Sequence, residues 1–426
     1  MSEGFIKNFD KLATTDNRKI ALEIMESGLE AISTKKVIES SISLVGNILI
    51  VKGKEYNLSN FKNIKIVGFG KSSCEAALAL EKILGSKIDE GAVIGLSATT
   101  CEYIETFAGT HPRPSTANTE ASKRIYEIAK DSKEDDLIIV LVSGGGSALL
   151  CSTEVECEQG IKLYDAFLGS NKTIAEINTV RKHISSLKGG GLAKIAYPAT
   201  VIGLVFSDIP GDDVENVASG PTYKDITTVA DAEKIVKENN LGIFDLIETP
   251  KEDKYFEKVT NFVLVSNKIA ADAMAKKAQE LGLLAKIIST ELYDEIDTVV
   301  EKLFSAREDG TVVLAAGEPR IVVPKGGGKG GRNLHLGISM IKKKSLESGS
   351  VFISYASDGM DNSDSAGAVV DINTIKKAKD MLLNIDDYYE HFDSYSFFQK
   401  TDDMIMTGPT GANVSDLMIL LTKNGK

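Results

Sequence analysis

The sequence predicts an α/β protein of two domains, and three observations lead there. Short β-branched runs alternate with amphipathic stretches from residue 64 onward, the apolar runs end in Gly, Ser or Asp, and 426 residues exceed one ordinary core. Such alternation argues for parallel strands covered by helices on both faces. The first domain, 1–240, is expected to be a Rossmann-like parallel sheet with helices on both faces. The second, 241–426, is expected to be a smaller mixed-sheet α/β domain, with the active site in the cleft between the two.

The elements follow in order. Ile20, Ala21, Ile24, Met25 and Leu29 recur at helical spacing in 18–32, a helix that can pack on either domain. IKIVGF (64–69) is a strand, 72–85 a helix closed by Gly85, GAVIGLS (91–97) a strand and 116–130 a helix with a cap-rich start. DLIIVLV (136–142) is the most apolar strand of this half and runs into three glycines; another strand leads to Asp208. The charged stretch 222–258 marks the domain boundary. Strands at 261–266, 285–290, 311–319, 321–324, 351–359 and 417–422 follow, with helices over 268–281, 293–307 and from 333.

Composition excludes several classes of function. Forty-nine basic residues against 61 acidic ones leave a net charge of −12, which disfavours binding along a nucleic-acid backbone. No apolar run approaches the roughly 20 residues of a membrane span, and residues 1–19 lack the apolar stretch of a signal peptide. Cys74, Cys101, Cys151 and Cys157 show no CxxC spacing, so neither disulfides nor structural zinc is expected and a reducing cytoplasm is the expected compartment.

The glycine runs carry the chemistry. In parallel α/β sheets ligands sit beyond the carboxyl ends of the strands, and these runs follow strands. Gly68 and Gly70 precede Lys71 at a strand-to-helix turn, which suits either an anion site or a plain tight turn. It is not a P-loop, since position 65 is Lys65 rather than glycine. Ser143, Gly144, Gly145, Gly146 and Ser147 hold more glycine than a bare turn requires, as expected where amides wrap a phosphate. Arg181, Lys182 and Lys188 form a positive island ahead of Gly189. Asp208, Asp212 and Asp213 crowd one strand end, and Asp358 stands at another; Mg²⁺ takes one or two carboxylates plus phosphate oxygens. Gly326, Gly327, Gly328, Gly330 and Gly331 precede Arg332, whose planar fork grips carboxylate or phosphate. Their GxGxxG match lacks the acidic ribose partner of a nicotinamide site. His111, in a proline-stiffened loop, and His183, beside the basic island, are either ligand contacts or structural residues. Together these features suit phosphoryl transfer, which needs positioning and charge neutralisation more than covalent help.

Taken together, GFGKSS (68–73), GTHPRPS (109–115), SGGGSAL (143–149), NTVRKHISSLKGGGLA (178–193), SDIPGDDVENVASGPT (207–222), GGGKGGRN (326–333), SDGMDNSDSAGA (357–368) and TGPTGANVSDL (407–417) resemble the glycerate 2-kinase family, whose members are also labelled hydroxypyruvate reductases. The resemblance implies transfer of the ATP γ-phosphoryl group to the 2-hydroxyl of D-glycerate, giving 2-phosphoglycerate, with Mg²⁺ or another divalent cation. It implies catalytic or substrate-binding roles for Lys71 and Arg332, and nucleotide contacts along the glycine runs. The expected site is then Lys71, Arg332 and Asp208 for catalysis, Asp208 and Asp358 for the metal, and Ser143, Gly144, Gly145, Gly146, Ser147, Lys188, Gly326, Gly327, Gly328 and Gly330 for the nucleotide. The alternative reaction is NAD(P)H-dependent reduction of hydroxypyruvate. No nucleic-acid or membrane partner is expected, and a homodimer is.

Overall fold

Two six-stranded sheets organise the chain, each built around the most apolar strands of its half. The structure is a computed structural model describing residues 4–167, 174–209, 213–344 and 346–423. It divides into two compact units, a first of residues 34–207 and 213–264 and a second of residues 1–33, 208–212 and 265–426.

The first unit opens with a small antiparallel sheet, β1 (Ile42–Val45), β2 (Ile48–Val51) and β3 (Lys54–Asn57). Four-residue strands are too short to show a period, and the turns between them are marked only by Gly46, Lys52 and Gly53 at positive φ. The main sheet holds β4 (Asn63–Phe69), β5 (Glu90–Gly95), β6 (Glu105–Ala108), β7 (Asp136–Ser143), β8 (Thr200–Phe206) and β9 (Val259–Val265), in the order β6-β5-β4-β7-β8-β9. The pairings of β5 with β6, β4 with β5, β4 with β7 and β7 with β8 are parallel. Every residue of β7 is buried, as a strand covered on both faces requires. The chain builds outward from β4 to β6, then restarts at β7 and builds the other way. That is the Rossmann order, and its switch point lies between β4 and β7, where Gly70 and Gly144 leave the sheet.

The second unit carries β10 (Leu284–Leu292), β11 (Thr311–Gly317), β12 (Ser350–Ala356), β13 (Gly367–Asp371), β14 (Met404–Ile405) and β15 (Asp416–Thr422), in the order β10-β11-β15-β12-β13-β14. Only β10 and β11 pair in parallel; β15 runs antiparallel between β11 and β12. Its first residue, Asp416, therefore stands opposite the last residues of both neighbours, Gly317 and Ala356. The strand expected at 321–324 does not form: these residues lie outside any strand, with Val322 78% exposed, and the nearest pairing is a single bridge between Glu295 and Arg320. The domain boundary expected after 240 moves to 264/265, because β9 completes the first sheet before the second unit begins. Among the described residues no helix is long and apolar enough to cross a membrane.

The helix expected at 18–32 spans Asp16–Ile32, with Thr15 Oγ1 accepting from Arg18 N, and it packs in the second unit against β12, β15 and helix Asn267–Glu280. Its own Arg18 is fully buried. The guanidinium donates to Asp371 (2.8 and 2.7 Å), Asp403 (2.8 Å) and Thr374 (2.9 Å). Burial opposes the charge, but the two carboxylates more than offset it and hold the Arg18 pKa above its ordinary value. Removing the arginine would leave Asp371 buried without a counter-charge and Asp403 paired with Lys377 alone (2.9 Å). Arg18→Leu is expected to destabilise the second unit by about 3–5 kcal/mol, read as a lowered urea midpoint.

Candidate active site

The switch point of the first sheet is held by a very close chain approach. Gly70 has φ +121°, and a Cβ there would lie 2.2 Å from Ser143 Oγ, so only glycine fits. The two loops then exchange hydrogen bonds. Lys71 N donates to Gly144 O (2.8 Å), Ser72 N donates to Ser143 Oγ (3.1 Å), and Ser73 Oγ lies 3.1 Å from the same hydroxyl. The Lys71 and Ser72 amides, just ahead of helix Ser73–Leu84, are thus satisfied by the second glycine loop. That loop is more open: among the described residues no acceptor engages the amides of Gly144, Gly145, Gly146 or Ser147. Ser147 Oγ is held 2.9 Å from Ser219 Oγ, which donates to Asn178 Oδ1 (3.1 Å).

Lys71 folds across this loop. A Cβ on Gly145, at φ +76°, would lie 3.1 Å from Lys71 Cγ and Cε and 3.2 Å from His111 Cδ2. Partial burial lowers the His111 pKa, and Lys71 and then Arg181 lower it further, so its imidazole is biased toward the neutral form. The basic island resolves into unlike parts. Lys182 pairs with Asp225 (3.2 Å). Lys188, expected at the nucleotide, is buried instead against Glu156 (2.5 Å) and Leu150 O (2.6 Å), where it holds the 150–156 segment in place. Burial would raise the Glu156 pKa, yet Lys188 holds it below the usual range. Next to this pair, Cys151 and Cys157 form a disulfide with Cα atoms 5.7 Å apart. This corrects the expectation of reduced thiols: helix Glu154–Phe167 starts just after Cys151 and brings Cys157 back beside it.

In the second unit Arg332, Asp358 and Gly330 line one cavity of about 350 Å³, together with Glu318, Asp361 and Asp416. Arg332 Nε donates to Asp416 Oδ2 (2.9 Å) and Nη1 to Glu318 Oε2 (3.5 Å). Asn333 Nδ2 donates to Asp416 Oδ1 (2.8 Å) and Asp361 Oδ1 (3.1 Å). Asp361 also accepts the amides of Asn333 (3.1 Å) and Leu334 (2.8 Å), capping helix Arg332–Lys343 from a distant loop. Burial pushes Asp416 up to about 7, against the pull of Arg332, while Asp361 and Glu318 add to the rise. Asp358 Oδ1 accepts from Met360 N (2.9 Å).

The expected residues therefore gather in two places. Lys71 lies on the Ser143–Ser147 loop, and Arg332 shares its cavity with Asp358 and Gly330. Gly327 and Gly328 instead pack against residues 391–395, Gly328 N donating to His391 O (2.8 Å), and Gly326 is exposed. Asp208 follows β8 by two residues; Asp212 lies outside the described residues, and Asp213 accepts from Asn216 Nδ2 (2.7 Å). Asp416 was not singled out as a site residue by sequence reasoning; its only signal is an acid opening the apolar strand 417–422.

Residues 20–249 match the model of a domain of unknown function (DUF4147), and residues 311–416 match the MOFRL family. A glycerate 2-kinase of Pyrococcus horikoshii is 33% identical, over 96% of this chain and 99% of its own. The chain belongs to the glycerate 2-kinase family. The crystal structure of glycerate kinase from Thermotoga maritima superposes with a TM-score of 0.83 at 31% identity, covering 95% of this chain and 99% of that one. An Agrobacterium vitis relative named as a hydroxypyruvate reductase is 34% identical over 84% of this chain and 98% of its own.

Two outcomes follow for this family member. Gly145→Ala strains a left-handed backbone and presses on Lys71; it should cost about 1 kcal/mol of stability and at least tenfold in kcat/KM, read by urea unfolding and steady-state rates. Asp416, raised above its unfolded value, binds its proton longer in the folded state, so stability falls as pH rises from about 4 to 7. Asp416→Asn should flatten that fall in urea midpoints measured between pH 4.5 and 8.

Proposed function

We infer that the chain is a glycerate 2-kinase, transferring the γ-phosphoryl group of ATP to the 2-hydroxyl of D-glycerate. The observation that carries this reading is the near full-length likeness to glycerate 2-kinases, set on a Rossmann-order sheet with Lys71 at its switch point. The hydroxyl oxygen bonds to the γ-phosphorus as the bond to the β,γ-bridging oxygen breaks, and the hydroxyl proton passes to a base. ADP leaves with the bridging oxygen.

Lys71 suits this reaction because its side chain lies against Gly145 of the open-amide loop and, among the described residues, no carboxylate pairs with it. In the proposed roles it neutralises the transferred phosphoryl group or the glycerate carboxylate, and the 144–147 amides cradle phosphate oxygens. Arg332 grips an anion in the second unit, where its present partners are Asp416 and Glu318. Among the described residues no cluster of three or more metal-ligating side chains occurs. Mg²⁺ takes one or two carboxylates and completes its shell with phosphate and water. Asp208 and Asp358 are the residues proposed to hold it. When bound, the cation neutralises charge on the phosphate oxygens.

The reductase alternative loses its strongest motif. A dinucleotide fingerprint follows a strand directly, whereas β11 ends at Gly317 and residues 326–330 follow a non-strand stretch, with Gly327, Gly328 and Gly330 packed on 392–395. Incubation with D-glycerate and ATP is expected to yield ADP and 2-phosphoglycerate, the phosphate position read by NMR, while hydroxypyruvate leaves NADH unconsumed. Lys71→Ala should lose at least about 10²-fold in kcat; a folded variant turning over at the wild-type rate would remove Lys71 from the mechanism.

A further inference from the structure

The three cations of the 178–191 segment meet different fates. Lys182 and Lys188 are buried and neutralised by Asp225 and Glu156. Arg181 is half-buried, and among the described residues no carboxylate pairs with it. Its place in the last turn of helix Ile174–His183 is favourable for a cation, but that effect is available to a fully solvated side chain and does not require burial. Burial instead disfavours the guanidinium charge and holds its pKa below the ordinary value, with Tyr164 acting in the opposite sense. A charge kept where the protein alone disfavours it points to a missing counter-charge.

The surroundings have the shape and sign for one. Arg181 lines a hollow of about 30 Å³ with Ser147, Tyr164, Cys151, Lys188 and Glu156, room for one water or one ligand oxygen. Glu156, the carboxylate in that lining, is already matched by Lys188. Lys71 and His111 lie against Gly145 two residues from Ser147, and both Lys71 and Arg181 act electrostatically on His111. Two cations without carboxylates, a neutral-biased imidazole and the open amides of 144–147 thus converge on one edge of the first unit.

We propose that Arg181 is an anion-binding residue which, with Lys71 and His111, holds an oxyanion of the substrates over the Ser143–Ser147 loop, one oxygen entering the hollow beside Ser147. The proposal deepens the kinase reading, on which the identity of the oxyanion rests. A nucleotide phosphate and the glycerate carboxylate share the required chemistry. A guanidinium offers two parallel donors, so Arg181→Lys keeps the charge but not the fork.

The test measures thermal midpoints of the full chain against inorganic phosphate, ATP and D-glycerate separately, in wild type, Arg181→Gln, Arg181→Lys and the exposed surface control Lys234→Gln. Phosphate should raise the wild-type and control midpoints. Its apparent affinity should fall at least tenfold in Arg181→Gln and by less in Arg181→Lys. In rate assays, a rise of at least tenfold in the KM for glycerate with the KM for ATP unchanged assigns the carboxylate; the converse assigns the nucleotide; neither KM rising overturns the proposal. A folded Arg181→Gln that binds all three ligands as the wild type does would overturn the proposal. So would phosphate failing to raise the wild-type midpoint. If the glutamine variant does not fold, Arg181→Lys with wild-type affinities overturns it equally. Failure of the wild type to phosphorylate glycerate, with Arg181-dependent phosphate binding intact, would overturn the kinase reading alone.

Discussion

The near-contact between Gly70 and Ser143 is the constraint from which the site in the first unit follows. Two neighbouring parallel strands end at the same height, and the missing side chain lets their exits touch. Because they touch, the Ser143 hydroxyl and the Gly144 carbonyl satisfy donors of the preceding loop, and the following amides are left open. Lys71 is then laid across Gly145 rather than projected into solvent. A residue larger than glycine at position 70 would part the strand ends and disperse this arrangement.

The two units treat positive charge in opposite ways. The first keeps Lys71 and Arg181 apart from its carboxylates and neutralises the neighbouring lysines internally. The second surrounds Arg332 with Asp416 and Glu318, with Asp361 close behind Asn333. An anion reaching Arg332 must therefore compete with Asp416 and Glu318. An anion at the first unit meets no such competition.

Much of this was legible in the residues. The Rossmann-like sheet follows from the alternation of 64–69, 91–97 and 136–142 with helical periods, and Lys71 and the Ser143–Ser147 loop follow from glycines at strand ends. Three things were hidden for physical reasons. The β1–β3 strands are shorter than a readable period. The Val322 and Val323 run looks like a strand but stays outside any sheet, with Val322 78% exposed. The fates of Lys182, Lys188 and Arg181 depend on acids 43 and 32 residues away, Asp225 and Glu156, or on the lack of one, and no local pattern encodes that. Asp416 depends on β15 being antiparallel, which its apolar sequence shared equally with a parallel strand.

That antiparallel insertion also orders events in synthesis. Residues 416–422 fill the middle of their sheet, between strands made about 100 and 60 residues earlier, so until they emerge β11 and β12 face each other across a gap. Arg18 likewise waits for Asp371 and Asp403. The second unit thus closes from its two extremes inward, and ribosomes must deliver nearly all of it before any of its centre can set, while β4 through β8 of the first unit have every neighbour already in hand.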